Sequence, residues 1–111
     1  MEPAVFDQLF QALADPHRRS FVERLAQGPA SVTELAALAD VQLPAVLKHL
    51  RVLETGGLVH SEKQGRVRTY RVQPDAFRQV NAWLEQRQRD MDAAFDKLAA
   101  LMAEIPEEKD H

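Results

Sequence analysis

The side chains with chemistry to offer are cationic, and they are concentrated in one stretch. Residues 42–73 of this 111-residue chain hold six basic side chains (Lys48, Arg51, Lys63, Arg66, Arg68, Arg71) and two acidic ones (Glu54, Glu62). That stretch carries +4, residues 1–41 carry −3 and residues 74–111 carry −4, so the total of −3 conceals a basic middle between acidic flanks. Such a middle meets a polyanion with one face while the remainder repels it. Catalysis is poorly provided for. With no cysteine there is no thiolate nucleophile, disulfide, Fe–S cluster or Cys-based zinc site. There is no Gly-rich phosphate loop, no serine in a nucleophile elbow and no histidine with an evident carboxylate partner. An enzyme is not expected, nor a cofactor. Of the four histidines, His17 and His60 fall in different elements, and His111 lies at an acidic terminus. His49 adjoins an apolar stripe, where an imidazole fills the core edge or touches a phosphate.

The elements that must carry these cations follow from periodicity and breakers. Val5, Phe6, Leu9, Phe10 and Leu13 recur at helical spacing up to Asp15-Pro16. Asp15 then caps a second helix with Pro16 at its first position and Phe21, Val22 and Leu25 as its stripe, up to Gly28-Pro29. Ser31-Val32-Thr33-Glu34 is a capping box opening a short third helix that carries Leu35 and Leu38. After Asp40-Val41-Gln42 a fourth helix runs from Leu43 to Thr55, with Val46, Leu50 and Leu53 buried and Gly56-Gly57 as a left-handed stop. A short helix, a tight turn and a longer helix with a basic outer face make a helix-turn-helix pattern. Residues 58–63 and 67–72 then read as a two-stranded hairpin around Gln64-Gly65, leaning on the helices through Tyr70 and Val72. This hairpin is a basic wing.

From Pro74 to Ile105 runs one long helix. Phe77, Leu84, Met91, Leu98 and Ile105 repeat every seven residues, and Val80, Ala94 and Leu101 fill the second heptad position, which Arg87 alone breaks. Trp83 and Phe95 widen the stripe. So long a helix has more apolar surface than about 70 preceding residues can cover, so its second half is expected to meet a second copy of the chain. The expected fold is mainly α with a small β-hairpin wing, a winged helix-turn-helix of order ααααββα. Residues 1–105 form the single domain, and 106–111 are an acidic, unstructured tail. No apolar run approaches the roughly 18 residues of a membrane span, and nothing at the start reads as a targeting signal, so a cytoplasmic protein is expected.

The run Leu43-Pro-Ala-Val-Leu-Lys-His-Leu-Arg-Val-Leu-Glu, then Gly57-Leu-Val and Gly65-Arg-Val-Arg-Thr-Tyr-Arg, with Leu13-Ala-Asp-Pro-His-Arg-Arg near the start, resembles the ArsR/SmtB family of winged helix-turn-helix repressors. The resemblance covers residues 3–103. It implies a homodimeric bacterial transcription regulator whose first and last helices form the interface and whose fourth helix reads the major groove. Val5, Phe6, Leu9, Phe10, Leu84, Met91, Phe95, Leu98 and Leu101 are the interface candidates. The arsenic-type sensors of the family carry two cysteines where this chain has Ser31 and Thr33, followed by Glu34, and neither hydroxyl is a soft-metal ligand. The zinc-type sensors use histidines on the last helix, and from Pro74 to Ile105 there is none. The chain resembles the family's non-metal branch, and no metal site is expected.

A repressor occupying an inverted-repeat operator is therefore the reading, with double-stranded DNA and a second copy as partners. A small-molecule effector at the dimer interface would refine it. Stepping 100 degrees per residue puts Pro44, Lys48 and Arg51 opposite the buried stripe with Ala45 beside them. Gln42 at the helix entrance reaches a base edge or phosphate, Lys48 a guanine or phosphate, and Ala45 or Leu43 a thymine methyl. His49 completes the set on this helix. On the wing, Lys63, Gln64, Arg66 and Arg68 touch the backbone or minor groove. Relatives commonly carry Ser-Gln where this chain has Gln42-Leu43 and a serine where it has Leu47, so operator sequence does not transfer. The competing class is a winged-helix module that binds protein through its long last helix, with DNA binding incidental.

Overall fold

A computed structural model describes residues 3–105, and within α1 the side chains from residue 6 on. The interface candidate Val5 and the tail 106–111 fall outside that description. Its elements are α1 (Pro3–Ala12), α2 (Pro16–Leu25), β1 (Ala30–Ser31), α3 (Val32–Ala36), α4 (Leu43–Thr55), β2 (Val59–Gln64), β3 (Val67–Val72) and α5 (Pro74–Glu104). A first unit ends at Arg78, and a second begins at Gln79 with the rest of α5.

Local chemistry sets the helix starts in the first unit. The Asp15 carboxylate accepts from the backbone N–H of His17 at 2.8 Å and of Arg18 at 3.2 Å, satisfying two otherwise orphaned donors of α2. Ser31 Oγ accepts from Glu34 N–H and the Glu34 carboxylate accepts from Ser31 N–H, each at 3.2 Å, which is the expected capping box. α3 stops at Ala36, so Leu38 is not carried round to the apolar side. It lies beyond the helix expected to carry it and is 53% exposed.

The core gathers Leu9 and Ala12 from α1, Phe21 and Leu25 from α2, Leu35 from α3 and Val46, Leu50 and Leu53 from α4. Leu58, Val59 and Tyr70 close it from the hairpin side. Leu9 is therefore committed to the interior of its own protomer at 1% exposure, which corrects its assignment to a partner-facing surface.

The expected hairpin forms, with β2 shifted by one residue to Val59–Gln64, pairing Val59 with Val72 and Gln64 with Val67 across a turn at Gly65 (φ +63°). Its order departs from the two strands expected. β1 pairs antiparallel to β3 through Ala30↔Tyr70 and Ser31↔Thr69, giving a three-stranded sheet of order β1-β3-β2. Two residues leave no alternation to detect, yet they anchor to the α2–α3 segment a ribbon that would be marginal alone. The two glycines after α4 divide the work. Gly57 supplies the left-handed stop (φ +78°), whereas Gly56 has ordinary helical angles and is needed for proximity: a Cβ there would lie 2.9 Å from that of Ala12 and 3.1 Å from the Gln8 carbonyl.

In the second unit no α5 side chain is buried, and Leu84, Met91, Phe95, Leu98 and Leu101 are all exposed. The guanidinium carbon of Arg87, the break in the heptad, lies 5.2 Å from the Trp83 ring centroid, and its side chain pairs with Asp90 at 3.1 Å, so the guanidinium stands over the aromatic face. Among the described residues no helix is long and apolar enough to cross a membrane.

Candidate nucleic-acid interface

With Val46, Leu50 and Leu53 fully buried, α4 turns Gln42, Leu43, Pro44, Leu47, Lys48 and Arg51 to the solvent. Ala45 is half-buried beside them. Pro44 costs nothing in the first turn, where its missing N–H would be unpaired anyway. Gln42 stands at the N-cap with extended backbone and no side-chain cap bond, so its amide stays available at the helix entrance.

On the hairpin, Lys63, Gln64 and Arg66 are exposed at the tip. Arg68, also exposed, has a different setting from the one expected. Its guanidinium donates to Ser61 Oγ at 2.8 Å, and Ser61 donates to the Glu54 carboxylate of α4 at 3.3 Å. This relay ties the hairpin to α4. Between them lies a cleft of about 310 Å³ lined by Leu47, Arg51, Glu54, Arg68 and Tyr70. Burial pushes the Tyr70 phenol above its usual range, and the Glu54 charge beside it pushes the same way, so it stays protonated in the floor of the cleft.

His49 is half-buried and belongs to a network that joins α4 to the start of α2. The Arg18 guanidinium donates to the carbonyls of Ala12 at 2.7 Å and Gln11 at 3.0 Å, capping the end of α1, and its third nitrogen lies 3.3 Å from His49 Nδ1. The His17 and His49 rings stack with centroids 5.3 Å apart, and Asp15 Oδ1 lies 3.4 Å from His17 Nδ1 and 4.0 Å from His49 Nδ1. Burial lowers the His49 pKa. The Asp15 carboxylate opposes that, and the charges of Arg18, His17 and Lys48 reinforce it, leaving a neutral ring at pH 7. For Asp15, burial acts upward but the N–H groups of Arg18 and His17 and the neighbouring positive charges outweigh it, so the carboxyl titrates below its usual value.

Sequence separation hid this group, because His17 and His49 stand in different elements with no shared motif. The only available signal was the capping role of Asp15. Asp15, His17 and His49 are metal-ligating types within 4.8 Å of one another. The Arg18 guanidinium, however, occupies the Nδ1 side of His49, and a fixed cation there opposes a second one. At the first of the two positions where the arsenic-type sensors carry cysteine, Ser31 is engaged in the α3 capping box with Glu34, which also meets Arg24 at 3.4 Å.

Of the interface candidates, Phe6 is half-buried and stacks on Phe10 at 6.0 Å, while Phe10 and the α5 residues Leu84, Met91, Phe95, Leu98 and Leu101 are exposed. Within α5, Leu98 and Leu101 border a shallow depression with Ala93, Ala94 and the stems of Asp90 and Lys97.

The helix-turn-helix domain family matches residues 13–62, the span from the end of α1 into β2. A solved structure of an ArsR family transcriptional regulator is 43% identical, with a TM-score of 0.78, over 83% of this chain and 95% of that one. The chain belongs to the ArsR family. The HTH-type transcriptional regulator Rv2034 of Mycobacterium tuberculosis is 50% identical over 68 residues, which make up 61% of this ArsR member and 64% of Rv2034, just under two thirds of that relative's length. The fold also recurs in Mb0332 of Mycobacterium bovis, a homodimeric winged helix-turn-helix DNA-binding domain, at 24% identity and a TM-score of 0.64 over 81% and 84% of the two chains. The ArsR fold thus puts the exposed face of α4 and the tip of the β2–β3 wing within one unit, with the Glu54–Ser61–Arg68 relay between them.

Proposed function

We propose that this protein is a transcriptional repressor that binds an inverted-repeat operator in duplex DNA as a homodimer, with α4 in the major groove and the β2–β3 wing on the flanking backbone. The observation that carries the reading is the coincidence of charge and shape. The +4 segment supplies an exposed helix face and an exposed hairpin tip, while the segments on either side are acidic. An α-helix fits the major groove, where base edges differ, and Gln42, Ala45 and Lys48 are placed to meet them. Lys63, Gln64 and Arg66 position the complex through the backbone. His49 holds α4 against α2 through Arg18 rather than reaching outward, so its contribution is to orient the helix.

The dimer uses the exposed apolar stripe of α5 from Leu84 to Leu101 and the exposed Phe10 of α1, and the homodimeric state of Mb0332 supports a two-copy assembly. The same stripe is the one feature that favours the competing reading, a protein-binding module. A mobility shift on the DNA upstream of the gene, with unrelated duplex as competitor, separates the two. A discrete complex that survives the competitor is expected, and its absence beside a stable heterologous complex through α5 would favour the module.

A further inference from the structure

α4 displays two leucines that the fold does not use. Leu43 and Leu47 stand one turn apart, 51% and 40% exposed, although Val46, Leu50 and Leu53 already fill the inward stripe of the same helix. Single exposed leucines are common, but an i, i+4 pair on one element is a small apolar patch. Its surroundings identify what it meets. Lys48 and Arg51 are exposed beside it on α4, and Leu47 opens onto the cleft lined by Arg51 and Arg68, whose one acid, Glu54, accepts a hydrogen bond from Ser61. A partner must therefore be anionic around its rim and apolar at its centre. An acidic phosphate rim around the C5-methyl groups of thymine, which line the floor of the major groove, has that pattern.

We infer that Leu43 and Leu47 determine operator specificity by reading 5-methylpyrimidines, that is, thymine methyls, in each half-site. The inference rests on the DNA-binding reading above. Neither leucine can donate or accept a hydrogen bond, so each gains from a methyl against it, a gain that a cytosine, which presents its N4 amine and no methyl, does not supply. Four residues of helix rise about 6 Å, so the two methyls lie one or two base steps apart at roughly 3.4 Å per step.

The test works without a known operator. The full-length protein selects duplexes from a random-sequence library made with thymidine, and the recovered duplexes are resynthesised with deoxyuridine, which lacks only the methyl. Affinities at fixed salt are expected to fall about fourfold for each methyl that contacts a leucine, hence about 15-fold for one in each half-site. Leu43→Ala and Leu47→Ala, both on exposed positions and checked by melting temperature, should each shrink the thymine-to-uracil difference. Tight binding that is indifferent to the methyls would overturn the inference and leave DNA binding intact. So would a methyl effect that survives unchanged in both variants. Failure to recover any bound duplex would overturn the DNA-binding reading, and this inference with it.

Discussion

Arg66→Ala tests whether the wing contributes charge or sequence choice. All six cations between 42 and 73 are exposed, but they are not equivalent. Arg68 is engaged with Ser61 at 2.8 Å and Arg51 borders the cleft with Glu54, whereas Arg66 stands in the hairpin turn beside Gly65. If three or four cations per protomer reach phosphates, a dimer neutralises about six to eight, and log K falls against log salt with a slope of about −5 to −7. Raising salt from 50 to 200 mM should then cost roughly a thousandfold or more in affinity. Two-fold symmetry removes two contacts with one substitution, so Arg66→Ala should reduce the slope by about one or two units. The ranking of operator variants should not change, since backbone contacts position without specifying. Fluorescence anisotropy on one selected duplex over a salt series measures the slope, and competition among single-base variants measures the ranking. A binding constant nearly flat in salt, or a variant that keeps the wild-type slope, refutes the placement of the wing on the backbone.

Four further outcomes can be checked independently. Lys48→Ala with Arg51→Ala should abolish specific operator binding at an unchanged melting temperature, whereas Leu50→Ala, at a fully buried position, should cost about 2–5 kcal/mol in denaturant unfolding; a double variant that still binds normally means α4 faces the other way. Because the folded chain holds the His49 pKa below 6.5, the unfolded chain takes up that proton first, and stability should fall as pH drops from about 6.5 toward the lowered folded value. His49→Gln should flatten that part of the curve in thermal melts, and an identical slope would show that the buried His49 is not the group that sets it. Leu98→Asp places a charge in the exposed α5 stripe and should yield a monomer with weak operator binding, while sedimentation of the wild type as a monomer at tens of micromolar defeats the dimer. Micromolar Zn(II), Cd(II) or As(III) should leave operator affinity unchanged, and a saturable loss of binding that mutation of His17 or His49 removes would show that Arg18 yields to a metal.

How legible these features are depends on how far apart in sequence their causes lie. The Asp15 cap, the Ser31–Glu34 capping box, the Val46/Leu50/Leu53 stripe and the β2–β3 hairpin are written within a few residues, and each stands where periodicity and cap chemistry put it. β1 is different. Its two residues become a strand only because β3, some 40 residues on, offers an edge to pair with. Gly56 looks like its neighbour Gly57, but its cause is the approach of Ala12 from another helix. Leu9 shares the spacing of Phe10, and only the closing of the core against α1 decides that one faces inward.

The proposed nucleic-acid face divides along the same line. That Lys48 and Arg51 point outward follows from a 100-degree step around a single helix. That Arg68 is bound into a relay with Ser61 and Glu54, and that His49 is turned toward Arg18 and His17, depends on which elements meet. These tertiary contacts change what the residues do. Type and position group both with the DNA contacts, yet each is occupied in holding α4 to its neighbours. The proposed face is thereby narrowed to the hairpin tip and the outer turn of α4, where Leu43 and Leu47 stand exposed, and the proposed base-reading surface is correspondingly more apolar than the charge of the segment suggests.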